Sequence, residues 1–260
     1  MKGKVVILAG GFGTRISEYS NVIPKPMIEI GNMPILWHIM KYYSSFGLKE
    51  FVILLGYKGS YIREYFLDYR YRSSVLSIDF KSNEVSMKNR VIEDWKVHLV
   101  DTGLHTMTGG RINKVKEIVG EDDFFLTYGD GLSNVNIEKT YDSHKSSGKC
   151  LTMTAVKPSG RFGRLSFDDA GNVTHFLEKA KKDESWINGG FFICSPKVFD
   201  YLSGEESEIF EQAPLMDMAS SHQINCYKHN GFWQCMDTLS DKNKLEDIWK
   251  SGEAAWKTWS

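Results

Sequence analysis

Residues Val5, Val6, Ile7, Leu8 and Ala9 form a continuous aliphatic run that breaks at once into Gly10, Gly11 and Gly13. Such a run is what a strand buried on both faces of an α/β sheet looks like, and the glycines let the chain turn tightly at its carboxyl end. A second apolar run, 51–55, follows a segment with helical spacing in Ile35, Leu36, Ile39, Met40 and Tyr43. Asn32 is placed to cap that helix, Pro34 falls in its first turn and Gly47 supplies the stop. Strand, loop, helix, strand is a βαβ unit, and its right-handed crossover makes the two strands parallel.

The alternation continues. Residues 58–69 read as a helix, 76–80 as a strand, and 83–102 as an irregular stretch with short strand-like pieces. Thr108 is a candidate N-cap for a helix carrying Ile112, Val115, Ile118 and Val119, which Gly120 ends. A buried strand, FFLTY, then runs into Gly129-Asp130-Gly131, followed by a helix over 136–147 and a strand over 150–156. Beyond Pro158 the pattern changes to short strand candidates (RLSFDD, NVTHFLE, INGGFFICS), helices over 196–202 and 207–220, a strand over 224–229 and a closing helix with Leu245, Ile248 and Trp249. The expected fold is α/β: a Rossmann-like mixed, mostly parallel sheet flanked by helices, with a small antiparallel lobe in the C-terminal half.

With 260 residues, 42% of them hydrophobic, the chain can bury a substantial core as a single domain. A formal net charge of -1 with interspersed signs points away from nucleic acid and from a membrane surface. The sequence shows no leader pattern and no apolar run of the roughly 18 residues a membrane span demands, so the expected compartment is the cytoplasm. Cys150, Cys194, Cys226 and Cys235 form no C-x-x-C pair and read as reduced core residues. Cys226-x-x-His229 has no second pair to complete a zinc site and reads as two residues opposite each other in a strand hairpin.

Ligands of open α/β sheets gather at the carboxyl ends of strands, where both glycine segments fall. The first is neither a dinucleotide fingerprint, since Ile16 stands where a third glycine belongs, nor a P-loop, since no Gly-Lys-Ser/Thr follows. Gly10, Gly11 and Gly13 still let backbone amides face phosphate oxygens, with Thr14 adding a hydroxyl and Arg15 a bidentate cation. A glycine-rich turn with a solvated arginine is the plainer alternative. Pro24 and Pro26 hold Lys25 on a stiff, extended segment, suited to a phosphate contact or to a rigid surface turn. Asp130, between glycines, suits a hydrated divalent cation or an Asx turn; Asp237 suits the same cation or a helix N-cap.

The glycines of MTGGRI sit in a helix's first turn, each costing about 1 kcal/mol relative to alanine. A ligand approaching the helix start accounts for them and places Arg111 on the same cleft. Glu178-Lys179 and Asn188-Gly189-Gly190 can hold a hydroxyl-rich second substrate, while a surface ion pair and a strand bulge explain them equally. No nucleophile elbow, H-E-x-x-H or kinase catalytic loop is present. Cations, amides and carboxylates suit a reaction in which charge is positioned and the nucleophile needs no activation.

Gly-Gly-x-Gly-Thr-Arg after the first strand, with Pro-Lys-Pro about ten residues on, resembles the sugar-1-phosphate nucleotidylyltransferases. KPMIEIG, PILWHIMK, MTGGR, TYGDG, GRFG, INGGFF, GFWQ-x-MDT and AWKTW look like the cytidylyl branch of that family and span essentially the whole chain. The resemblance implies transfer of CMP from CTP to α-D-glucose 1-phosphate, giving CDP-glucose and pyrophosphate for the dideoxyhexoses of bacterial surface polysaccharide. It implies a nucleotide-binding portion, 1–157, and a sugar-phosphate-binding and oligomerisation portion, 158–260, of one domain. Leu8, Ala9, Gly10, Gly11, Gly13 and Thr14 would embrace the nucleotide, Arg15 and Lys25 its phosphates, with Thr106, Arg111 and Gly129 bordering the pocket. Asp130 and Asp237 would bind Mg2+, Glu178, Lys179, Asn188 and Gly189 would face the sugar phosphate, and the chain would form a homo-oligomer, a trimer or hexamer. Catalysis would rest on Arg15, Lys25, Asp130 and Asp237. Ala180 and Cys235 replace prolines usual in the family. A dTTP- or UTP-using relative and a non-catalytic nucleotide-sugar sensor are the alternatives.

Overall fold

Seven strands build the central sheet: β1 (Lys4–Leu8), β2 (Glu50–Leu55), β3 (Lys96–Asp101), β4 (Phe124–Tyr128), β5 (Leu151–Val156), β6 (Ile187–Cys194) and β7 (Ile224–His229). This is a computed structural model, and it describes residues 1–72, 74–89, 93–157, 164–167, 173–177 and 186–259, with backbone alone at 89, 164–167 and 173–177. The strand order is β7-β5-β6-β4-β1-β2-β3. β1 runs parallel to β2 and β4, β2 to β3 and β5 to β7, whereas β6 is antiparallel to both of its neighbours. The sheet is mixed and mostly parallel, as the alternation of strands and helices predicts.

The opening βαβ unit forms as expected, with helix α1 (Ile35–Ser45) crossing between β1 and β2 and Val5 paired with Phe51. The aliphatic run is continuous because both faces of β1 are covered. Val5 and Ile7 pack into one core cluster, and Val6 and Leu8 into the other. Helix α2 (Gly59–Leu67) follows β2, α3 (Thr108–Asn113) precedes β4, and α4 (Ile137–Ser147) is capped by Asn136, whose side chain accepts from the Lys139 amide at 2.9 Å. Two more helices, α5 (Ala213–Ser220) and α6 (Leu239–Lys250), lie in the C-terminal half. The antiparallel pair Arg164–Phe167 and Val173–Leu177 supplies the small lobe, while β6 and β7 complete the central sheet.

Several local expectations change. Asn32 does not cap α1; with φ 66°, beside Gly31 at 58°, it turns a small ribbon of Glu29–Ile30 and Met33–Pro34, leaving Pro34 at the N-cap. Thr108 begins α3 instead of capping it, because its hydroxyl is engaged by residues 210 and 211. The 207–220 helix starts only at Ala213, since the preceding residues run alongside 107–110: Met107 N donates to Glu206 O and Gly109 N to Glu208 O. Residues 196–202 form a 3-10 turn over Pro196–Tyr201. Cys150 and Cys194 are buried, but Cys226 is exposed and Cys235 half-buried. Cys226 and His229 share β7, so they are not opposed across a hairpin. Among the described residues no helix is long and apolar enough to cross a membrane.

Candidate active site

A cavity of about 480 Å³ opens beyond the carboxyl ends of β1 and β4. Its walls include Leu8, Ala9, Gly10, Gly11, Gly13, Thr14, Arg15, Lys25, Thr106, Arg111, Gly129 and Asp130, so residues spread over more than a hundred positions converge here. The turn out of β1 is fixed by backbone bonds to β2 and its exit: Ala9 N donates to Leu54 O and Tyr57 N to Gly10 O, both 3.1 Å. Gly13 takes a left-handed conformation, φ 64°. A side chain at Gly129 would meet Leu8 O at 2.9 Å and the Pro26 ring at 3.1 Å, so glycine there allows the two glycine segments and the Pro-Lys-Pro turn to close together.

Lys25 lies where these segments meet. Its Nζ donates to Asp130 Oδ2 at 2.6 Å and to Asp237 Oδ1 at 2.7 Å, and Arg15 Nη1 donates to Asp237 Oδ2 at 2.9 Å. Burial alone would lower the Lys25 pKa, but Asp130 and Asp237 outweigh it and hold the ammonium above its ordinary value. For Asp237, burial works to raise the pKa; Lys25, Arg15 and the nearby Cys235 thiol overcome it and keep the carboxyl below the usual range. Asp237 is not the helix cap it resembles in sequence. That role belongs to Thr238, in a capping box with Asp241, which leaves the Asp237 carboxylate to Lys25 and Arg15.

The two aspartates are brought together by backbone. Gly131–Ser133 pairs antiparallel with Trp233–Cys235, and Met236 N donates to Asp130 O at 2.8 Å. Two hard carboxylate donors converging on one cationic centre fit a magnesium ion, which commonly takes one or two protein carboxylates and completes its shell with water and substrate phosphate. Among the described residues no group of three or more His, Cys, Asp or Glu side chains forms a fuller cage. Cys235, where the family carries proline, pairs with Gly131 in this ribbon; Ala180 lies outside the described residues.

Arg111 borders the cavity, but its guanidinium is turned to the backbone. Nη1 donates to Leu55 O (2.9 Å), Gly103 O (2.8 Å) and Thr102 Oγ1 (2.5 Å), and Nη2 to Gly10 O (3.1 Å). The planar fork thus ties the glycine loop to the ends of β2 and β3. It also explains Gly10, since a Cβ there would fall 2.3 Å from Nη1. Gly109 and Gly110 answer to packing instead of to a ligand. Added Cβ atoms would meet Glu208 Cγ at 2.7 Å and Glu205 O at 2.8 Å.

Asn188 and Gly189 lie at the start of β6, beside Tyr128 and outside the cavity's lining. Trp233 Nε1 donates to Gly189 O at 2.7 Å, and Asn188 Nδ2 lies 3.5 Å from the Tyr128 hydroxyl. Glu178 and Lys179 lie outside the described residues. Sequence reasoning missed Phe12, Pro26, Leu104, His105, Met107, Thr108 and Tyr128 as cavity walls. Tyr128 stood one residue before a noted glycine; Leu104 and His105 carried no local signal.

Residues 4–241 match the nucleotidyl transferase family. The chain belongs to that family. Glucose-1-phosphate cytidylyltransferase of Salmonella typhi is 50% identical over 257 residues, covering 98% of this chain and 99% of its own length. The probable glucose-1-phosphate cytidylyltransferase of Bacillus subtilis strain 168 is 44% identical over 256 residues, 98% of this chain and 100% of its own. Among solved structures, HddC from Yersinia pseudotuberculosis complexed with GMP-PN superimposes with a TM-score of 0.68 at 24% identity, over 95% of this chain and 99% of that one, which places the nucleotidyl transferase fold.

Proposed function

We propose that this nucleotidyl transferase moves CMP from CTP to α-D-glucose 1-phosphate, giving CDP-glucose and pyrophosphate. The observation that carries the reaction class is the meeting of the glycine loop with Lys25 and Asp130 at one cavity, where Lys25 and Arg15 also bind Asp237. The choice of CTP and glucose 1-phosphate is supported by the two cytidylyltransferase relatives.

A sugar phosphate is largely dianionic at pH 7, its second pKa being about 6, so its oxygen attacks the α-phosphorus with no general base. The obstacle is repulsion between two polyanions. Backbone amides at 10–14 face the nucleotide phosphates, and Arg15, 74% exposed at its side chain, is free to swing from Asp237 onto them. Lys25 stays charged because its pKa is raised, and it stands where charge builds on the departing pyrophosphate. Asp130 and Asp237 would hold magnesium, which would supply positive charge against the phosphates.

The assay is magnesium-dependent pyrophosphate release with glucose 1-phosphate and each of CTP, dTTP, UTP, ATP and GTP. Preference for CTP is expected; preference for dTTP or UTP would overturn the base assignment and keep the reaction. Either Asp130→Asn or Asp237→Asn should shift the magnesium titration to higher concentration, and unchanged curves would remove that residue from the metal site. The same reading places the chain in the cytoplasm as a homotrimer or hexamer, supplying surface-polysaccharide synthesis; sedimentation analysis tests the assembly.

A further inference from the structure

The residues after β6 carry a carboxylate that the reaction above does not use. Glu211 spends its two oxygens on two different walls of the cavity: Oε1 accepts from the Tyr128 hydroxyl at 2.5 Å and Oε2 from the Thr108 hydroxyl at 2.6 Å. Tyr128 ends β4, immediately before Gly129 and Asp130, and Thr108 begins α3; both line the cavity.

Tyr128 lines the cavity with its hydroxyl beside Asn188, a residue assigned above to the sugar phosphate. A Cβ at Gly190 would fall 2.5 Å from its ring, so β6 packs directly on it, and Gly190 adopts φ 77° to do so. Asn188 flanks its hydroxyl, while Asn188 Oδ1 accepts from Gly190 N at 2.8 Å.

Glu211 is held by main chain. Residues 206–210 run beside 107–110, where Met107 N donates to Glu206 O at 2.7 Å and Gly109 N to Glu208 O at 2.9 Å, and Phe210 N donates to Thr108 Oγ1 at 2.9 Å. Gly109 and Gly110 admit this approach. A carboxylate on a braced segment, doubly occupied by hydroxyls from β4 and α3, fixes the spacing between those two elements.

Resting on the reaction proposed above, we propose that Glu211 is a positioning residue that sets the distance between the nucleotide subsite, through Thr108, and the sugar-phosphate subsite, through Tyr128. It touches neither substrate. Hydrogen bonds to a charged acceptor are worth enough that losing one costs about tenfold or more in a function that depends on it.

Steady-state kinetics on the full chain, varying each substrate separately, tests this. Tyr128→Phe should raise KM for glucose 1-phosphate about tenfold and leave KM for CTP nearly unchanged, and Thr108→Val should do the reverse. Glu211→Ala should raise both, and Glu211→Gln, which keeps one acceptor oxygen and adds a donor, should recover part of each. On the Tyr128→Phe background, Glu211→Ala should add almost nothing to the sugar-phosphate effect. A Glu211→Ala protein that melts lower but keeps both KM values, or effects that simply add in the double variant, would overturn the proposal. If the wild-type protein releases no pyrophosphate from any nucleotide, the reaction itself fails; the geometry is then tested by calorimetric titration of CTP and of glucose 1-phosphate into the wild type and Glu211→Ala, and equal affinities sink the strut.

Discussion

Lys25 and His38 are thirteen positions apart, both largely enclosed, and both tied to the C-terminal part of the chain, yet burial leaves them in opposite charge states. Lys25 meets Asp130 and Asp237, and its ammonium is held above its ordinary pKa. His38 is fully buried among Trp37, Trp249, Trp256 and Trp259; burial lowers its pKa to about 4 despite the Ile30 carbonyl and Glu246, which favour the cation. Its Nε2 faces Ile30 O at 2.8 Å, and the Trp256 indole N–H donates toward Nδ1 at 3.4 Å, an arrangement that suits a neutral ring with its proton on Nε2. Enclosure alone thus decides nothing about charge. Carboxylates keep a cation at the cavity, and aromatic walls keep a neutral hinge between the C-terminal segment and α1.

The largest test of this contrast is Lys25→Ala. Turnover should fall by at least about a hundredfold, the scale of losing one well-placed electrostatic contact to the reacting phosphates. Near-normal kcat would make the lysine a structural counterion only.

Acid should act through the other member of the pair. Between pH 6.5 and 4 the unfolded chain binds a proton at His38 that the folded chain refuses, so stability falls as pH falls through this window. The full effect is about 3 kcal/mol below pH 4. Denaturant midpoints measured across that range should drop in the wild type, and His38→Gln should flatten the slope. An equal slope in both proteins would place the acid sensitivity elsewhere.

Arg15→Ala gives the smallest expected change in stability. Its ion pair with Asp237 is solvent-exposed on the arginine side, so the denaturation midpoint should move by less than the equivalent of about 0.5 kcal/mol, while KM for the nucleotide rises. A large loss of stability would show that Arg15, like Lys25, is a fixed part of the carboxylate cluster.

Much of the fold was legible where one physical cause acts locally. The aliphatic run of β1 follows from burial on both faces, and the helix read over 136–147 forms as α4. Misreadings arose where a residue type serves two purposes. Asn32 is as good in a left-handed turn as at a helix cap, and Thr238, one residue beyond Asp237, could not be preferred as the cap without seeing the capping box close. The glycines of MTGGR looked like those of the β1 loop. Gly11 has open space where a side chain would stand, whereas Gly109 and Gly110 press against residues a hundred positions away. The insertion of β6 antiparallel between β4 and β5, and the Glu211 contacts it accompanies, are long-range facts for which a linear pattern has no sign.

The ribbon of Gly131–Ser133 and Trp233–Cys235 behaves like a caliper. Its jaws are Asp130 and Asp237, and its setting is the hydrogen-bond register, Cys235 opposite Gly131. Sliding one strand by a single residue shifts it about 3.3 Å and reverses the face of every side chain. One deletion between Trp233 and Met236 would therefore swing Asp237 away from Lys25 while leaving every residue of the cluster in the chain. For the two aspartates, the offset of each from the paired residues of the ribbon is as strict a requirement as their identity.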